Sequence, residues 1–152
     1  MPNRACLWRL RSGRFSQTGG IYMITSTTEQ RRAVFADWRI GRLLVHEFRR
    51  AEEQGLACSL AWVVMPDHFH WLLALEQGSL AALIMQVKGS SSVAINRTLH
   101  QSGRLWQPGF HDRALRREQD LQPLARYIVA NPLRAGLVKR LGDYPLWDAI
   151  WV

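Results

Sequence analysis

Acidic side chains are scarce in this chain of 152 residues: 12 Asp and Glu stand against 20 Lys and Arg, a formal net charge of +8, with a pI of about 10.7. That balance fits a polyanionic partner, either nucleic acid or an anionic membrane surface. No basic amphipathic helix is present to lie on a membrane, and no apolar run approaches the roughly 18 residues that span one. Lysine is scarcer still, with Lys88 and Lys139 alone. Arginine grips phosphate in bidentate fashion and stacks on bases, but a GC-rich genome gives the same bias, so the net charge carries the nucleic-acid reading. The only cysteines, Cys6 and Cys58, show neither metal-ligand spacing nor a framework, which suits a reducing cytoplasm, and no disulfide is expected. The first twenty residues hold arginines but no continuous apolar segment of the signal-peptide kind. A glycine-rich phosphate loop, internal repeats and low-complexity tracts are all missing.

With 47% hydrophobic residues, the chain can bury a proper core without a structural metal, and one domain is expected over residues 20–152. Most of the seven tryptophans are expected in that core. Residues 1–19 form a basic arm, with Arg4, Arg9, Arg11 and Arg14 and no acidic residue. Such an arm can follow a phosphate backbone or remain a solvated terminus. Ile21 to Thr27, β-branched and aromatic, reads as a first strand. Asp37 caps a helix whose Ile40, Leu44, Phe48 and Ala51 share one face until Gly55. Leu56 to Val64 is an apolar strand, and Met65-Pro66-Asp67 turns it back into a second, His68 to Leu75. Ser79 caps a helix carrying Leu80, Leu83, Ile84 and Val87 and running through a serine tract to Leu99. That tract either lets a nucleic-acid backbone approach beside Lys88 and Arg97 or packs a helix closely on a sheet. Phe110 to Leu115 reads as a strand, and a third helix follows from about Glu118 to Ala130, ended by Pro132. The apolar tail from Asp143 is expected to dock on the core. The order β, α, β, β, α, β, α implies an α+β fold: a ferredoxin-like antiparallel sheet flanked by helices.

The chemistry concentrates at His68-Phe-His70. Alternate residues of a strand share a face, so the two imidazoles point together while Phe69 and Trp71 point the other way. They can converge on one divalent ion, although a His-x-His strand taken alone is more often two satisfied polar residues at a sheet end. The third helix supplies what is missing. Tyr127 and Asn131 lie one turn apart beside its apolar stripe, as a possible nucleophile and a possible oxygen ligand for Mg²⁺ or Mn²⁺. Each has a blander reading, as a half-buried helix tyrosine and a helix-end cap. Only the joint spacing favours a site.

Three segments, Met65-Pro-Asp-His-Phe-His70, Leu105-Trp-Gln-Pro-Gly-Phe-His-Asp-Arg113 and Tyr127-Ile-Val-Ala-Asn-Pro-Leu-Arg-Ala-Gly-Leu-Val138, together resemble the single-tyrosine HUH transposases, in the branch of REP-associated tyrosine transposases of bacteria. The likeness runs from about Arg9 to Trp151 in the right order. It implies the ferredoxin-like HUH fold, His68 and His70 as metal ligands, Tyr127 as catalytic tyrosine and Asn131 as a further ligand. It also implies a metal-dependent single-stranded DNA endonuclease and strand transferase, cutting at or near palindromic repeat hairpins through a 5′-phosphotyrosine, in a cytoplasmic, nucleoid-associated protein. Two departures stand out. The first strand reads Tyr-Met-Ile-Thr-Ser-Thr where relatives often carry a His and an Arg, and His111 stands where Tyr or Phe is common.

Candidate phosphate contacts are Arg9, Arg11, Arg14, Lys88, Arg97, Arg113, Arg126 and Arg134, each of which has a surface-charge reading beside it. Two alternatives accompany the transposase reading: a domesticated protein that binds and nicks repeats without moving DNA, and a non-catalytic nucleic-acid-binding module with structural histidines. A relaxase-type nickase is a third, disfavoured by the segment from Tyr127 to Val138. A monomer and a homodimer sharing active sites fit the sequence equally.

Overall fold

The computed structural model describes residues 19–151. Strand β1 (Ile21–Thr27) is followed by two 3₁₀ turns (Glu29–Arg31 and Val34–Ala36) and helix α1 (Trp38–Glu53). Strands β2 (Ala57–Met65) and β3 (His68–Leu75) form a hairpin, and helix α2 (Leu80–Leu99) leads to β4 (His111–Leu115). Helix α3 (Leu121–Val129), the single turn α4 (Asn131–Arg134) and strand β5 (Trp147–Ala149) complete the described chain. The strands form one sheet in the order β4-β1-β3-β2-β5, antiparallel at every junction. The first four have the ferredoxin-like arrangement expected, with β5 added at the edge beside β2.

Local chemistry accounts for the element ends. The Asp37 carboxylate accepts from Arg39 N at 3.0 Å and the Ser79 hydroxyl from Ala82 N at 3.1 Å, each satisfying an otherwise unpaired first-turn donor. Helix α1 closes through Gly55 in the left-handed region (φ 71°), with Leu56 N reaching back to Ala51 O at 2.9 Å, as a Schellman ending requires.

The sheet is covered on both faces. On one, α1 and α2 bury Ile40, Leu44, Phe48, Leu83, Ile84 and Val87 against Ile24, Val64, Phe69, Trp71 and Leu73. On the other, α3 buries Leu121, Ala125, Ile128 and Val129 against Ile21, Val63, Met65 and Leu72. Trp62, Trp71 and Trp106 are buried, Trp147 and Trp151 pack half-buried against the core, and Trp38 is half exposed, so the core reading holds for most tryptophans the structure describes. Ser91 resolves the serine tract toward packing: its buried hydroxyl accepts from Trp106 Nε1 at 3.1 Å and donates to Lys88 O at 3.1 Å.

Several expectations are corrected. The third helix is shorter than 118–130, because Glu118–Asp120 form a separate 3₁₀ turn. Pro132 does not end a helix but sits in the first turn of α4, where its missing N–H and fixed φ cost nothing. The tail does more than dock: β5 pairs with β2, and Leu146 is buried in the core. Cys58 is disulfide-bonded, where no disulfide was expected. Cysteine pairing is decided by proximity in the folded chain and carries no local sequence signal. No helix is long and apolar enough to cross a membrane among the described residues.

Candidate active site

The strand register builds the site. His111, Thr25, His70, Val63 and Trp147 face one another across β4, β1, β3, β2 and β5. His68 stands two residues from His70, opposite Thr27 and Met65. Both histidines therefore lie on the α3 face of the sheet. The alternating residues Phe69 and Trp71 are fully buried on the other face, their rings 5.2 and 4.4 Å from that of Phe48. This aromatic packing anchors the strand that carries the imidazoles.

The His68 and His70 rings lie 5.0 Å apart, at 76° to each other. Each is held through Nδ1: His68 by the Asp67 carboxylate at 2.7 Å, His70 by the Thr25 hydroxyl at 2.7 Å. Burial, then the charges of His68 and Arg134, push the His70 pKa down to about 4. The ring is neutral at pH 7, the form that ligates a metal. Burial pushes the Asp67 carboxyl up, but its hydrogen bond with His68 and the bond and charge of Arg31 outweigh this and hold it below its ordinary value. Asp67 and Thr25 were not among the expected site residues. Asp67 reads in sequence as a turn residue and Thr25 as a β-former, and only their side-chain partners reveal more.

Helix α3 packs its apolar stripe on the same sheet face and leaves Tyr127 60% exposed. After Ala130 the chain restarts as α4, which brings Arg134 back over the tyrosine. The guanidinium carbon lies 3.9 Å from the ring centroid, and Nη2 donates to Tyr127 O at 2.7 Å. Asn131 is the first residue of α4, half-buried. Among the described residues no three of His, Cys, Asp and Glu come together as a metal cage, so a third protein ligand would have to be another residue type, as the Asn131 amide oxygen is. Two imidazoles and an amide oxygen suit a divalent ion such as Mn²⁺ or Mg²⁺.

The candidate phosphate contacts are scattered. Arg97, Arg113 and Arg126 are exposed on α2, β4 and α3. Lys88 is engaged inside the protein, its Nζ donating to Gln107 O at 2.8 Å and Gly109 O at 2.5 Å. Burial lowers its pKa. Arg9, Arg11 and Arg14 lie outside the described residues.

Comparison with known proteins places this geometry. The chain is 26% identical over 136 residues to the REP-associated tyrosine transposase of Escherichia coli K12, covering 87% of this chain and 78% of that one. Its fold superposes with a TM-score of 0.70, at 24% identity, on a structure described as a REP-associated tyrosine transposase bound to a REP hairpin, covering 86% of this chain and 76% of that one. The family model described as IS200-like transposase matches residues 16–131, and the chain belongs to that family.

Proposed function

We propose that the protein is a metal-dependent single-stranded DNA endonuclease and strand transferase that acts at or beside palindromic-repeat hairpins through Tyr127. The observation that carries this reading is the pair His68 and His70, both held through Nδ1, on the sheet face against which the helix of the exposed Tyr127 packs. The hairpin substrate is supported by the relatives, one named for its association with REP elements and one solved with a REP hairpin.

In this reading His68, His70 and Asn131 hold the ion, which when bound supplies positive charge to the non-bridging oxygens of the scissile phosphate. The chain's own groups do the rest. An exposed phenol can reach a phosphodiester in a bulky nucleic acid, and the Arg134 guanidinium over the ring places positive charge beside the attacking group. The Tyr127 oxygen bonds to phosphorus as the bond to the 3′ oxygen breaks, leaving a 5′-phosphotyrosine and a free 3′-OH. A second 3′-OH can then displace the tyrosine, and because the phosphodiester is conserved the joining needs no nucleotide cofactor.

The test is a denaturing gel of protein incubated with labelled single-stranded hairpin DNA from the repeats of its own genome, with Mg²⁺ or Mn²⁺. A covalent adduct that requires both metal and Tyr127 is expected, and Tyr127→Phe is expected to bind the hairpin without forming it. Cleavage surviving in Tyr127→Phe would remove the tyrosine from this role. Tight hairpin binding with no adduct under any metal would favour a non-catalytic binding protein.

A further inference from the structure

A carboxylate settles at His68 what a hydroxyl leaves open at His70. Asp67 Oδ1 lies 2.7 Å from His68 Nδ1, and an ionised carboxylate can only accept a hydrogen bond. In the neutral His68 ring the proton is therefore on Nδ1, and Nε2 presents its lone pair. At His70 the partner is Thr25 Oγ1, 2.7 Å from Nδ1. A hydroxyl can donate or accept, so that contact is compatible with either tautomer.

Asp67 is itself held on three sides. Its Oδ2 accepts from Arg31 Nε at 3.0 Å, and its main-chain carbonyl accepts from Thr28 N at 2.9 Å and Thr28 Oγ1 at 3.1 Å. The neighbouring Pro66 O accepts from Phe35 N at 2.9 Å. Arg31 reaches the carboxylate from a tandem of left-handed residues, Gln30 at φ 56° and Arg31 at φ 51°. Non-glycine residues adopt this region rarely, and where they do the surroundings over-determine it. Glu29 N to Leu105 O at 2.8 Å and Arg32 Nη2 to Arg104 O at 3.1 Å clasp the same turn from the other side.

We propose that Asp67 is a positioning residue that makes Nε2 the ligating nitrogen of His68, and that the left-handed Gln30–Arg31 turn holds Asp67 in the orientation this needs. The inference rests on the reading of His68 and His70 as metal ligands. It explains why a two-residue stretch of unfavourable backbone stands beside the turn between β2 and β3. Removing an outer partner of this kind typically weakens metal binding by about 10- to 100-fold.

The test uses the full chain without DNA and Mn²⁺ as the probe, with the affinity read by titration calorimetry and the imidazole tautomers read by ¹⁵N NMR of the metal-free protein. Wild-type His68 is expected in the Nδ1–H tautomer. Asp67→Asn keeps the shape but can turn an N–H toward the ring, so it should raise the Mn²⁺ Kd about 10- to 100-fold and shift the His68 tautomer. Arg31→Ala leaves the bond between Asp67 and His68 in place and should raise the Kd by less. A wild-type His68 protonated at Nε2 overturns the proposal whatever the variants do. So does an Asp67→Asn protein with Kd within twofold of wild type while His68→Ala abolishes binding, and in that case the metal reading stands. Mn²⁺ affinity unchanged in both His68→Ala and His70→Ala would instead remove the metal site, and this inference with it.

Discussion

The Arg134 guanidinium lies 3.9 Å over the Tyr127 ring and donates to the Tyr127 main-chain carbonyl at 2.7 Å. Its charge also helps to lower the His70 pKa, after burial and His68. One side chain thus bears on the proposed nucleophile and on one of the proposed ligands. The break at Ala130 makes this possible, because an unbroken helix would carry residue 134 away along the axis from residue 127.

Arg134→Ala is expected to slow adduct formation by more than about tenfold while changing stability by less than about 1 kcal/mol, the scale of an exposed cation–π contact. Arg134→Lys should recover little of the rate, since an ammonium lacks the flat fork that stacks and hydrogen-bonds at once. Single-turnover gels and thermal melts on the same preparations separate the two effects.

His68→Ala or His70→Ala, or chelation of divalent metal by EDTA, is expected to reduce cleavage by more than about a hundredfold, on the scale of lost transition-state charge stabilisation. Hairpin binding should persist in each case. Gel shifts at fixed salt, run beside the cleavage assay, check both halves of the expectation.

Tyr144 gives a pH dependence unrelated to catalysis. Its hydroxyl donates to Val64 O at 2.5 Å, and burial raises its pKa from 10.0 to about 12. Below pH 10 both folded and unfolded chains keep the proton and the stabilisation is whole. Between about 10 and 12 the unfolded state releases the proton that the folded state retains, so stability falls as pH rises through that window. The Tm of wild type should therefore drop more steeply above pH 10 than that of Tyr144→Phe. Parallel slopes would argue that the Tyr144 contact does not couple to folding.

Gly41→Ala tests the docking of the tail on α1. An added Cβ would collide with Leu146 Cδ1, a buried side chain in the core. Overpacking of this kind costs about 1–3 kcal/mol, against a gain in helix propensity of about 1 kcal/mol. A lowered Tm is expected, and pairing with Leu146→Ala should cancel part of the loss.

Much of the fold was legible because two short periods carry it. Alternation along β3 placed His68 and His70 on one face and Phe69 and Trp71 on the other, and the apolar spacing of α1 with Asp37 before it marked that helix and its start. The companions of the histidines were not legible. Thr25 reaches His70 across 45 residues and Arg31 reaches Asp67 across 36, separations over which no periodicity operates. The left-handed Gln30–Arg31 turn was equally hidden, since neither residue type favours it.

By itself the sequence determined which side chains share a face, where α1 and α2 begin, and that two imidazoles, a tyrosine and an asparagine are available in a basic chain. Tertiary structure alone decided that β5 closes the edge beside β2, that Cys58 is bonded, that Lys88 is spent on the carbonyls of Gln107 and Gly109, and that Arg134 covers Tyr127. The division has a physical cause: facing is set by local backbone geometry, whereas pairing across the fold is set by packing and hydrogen bonding among segments that meet only once the core has formed.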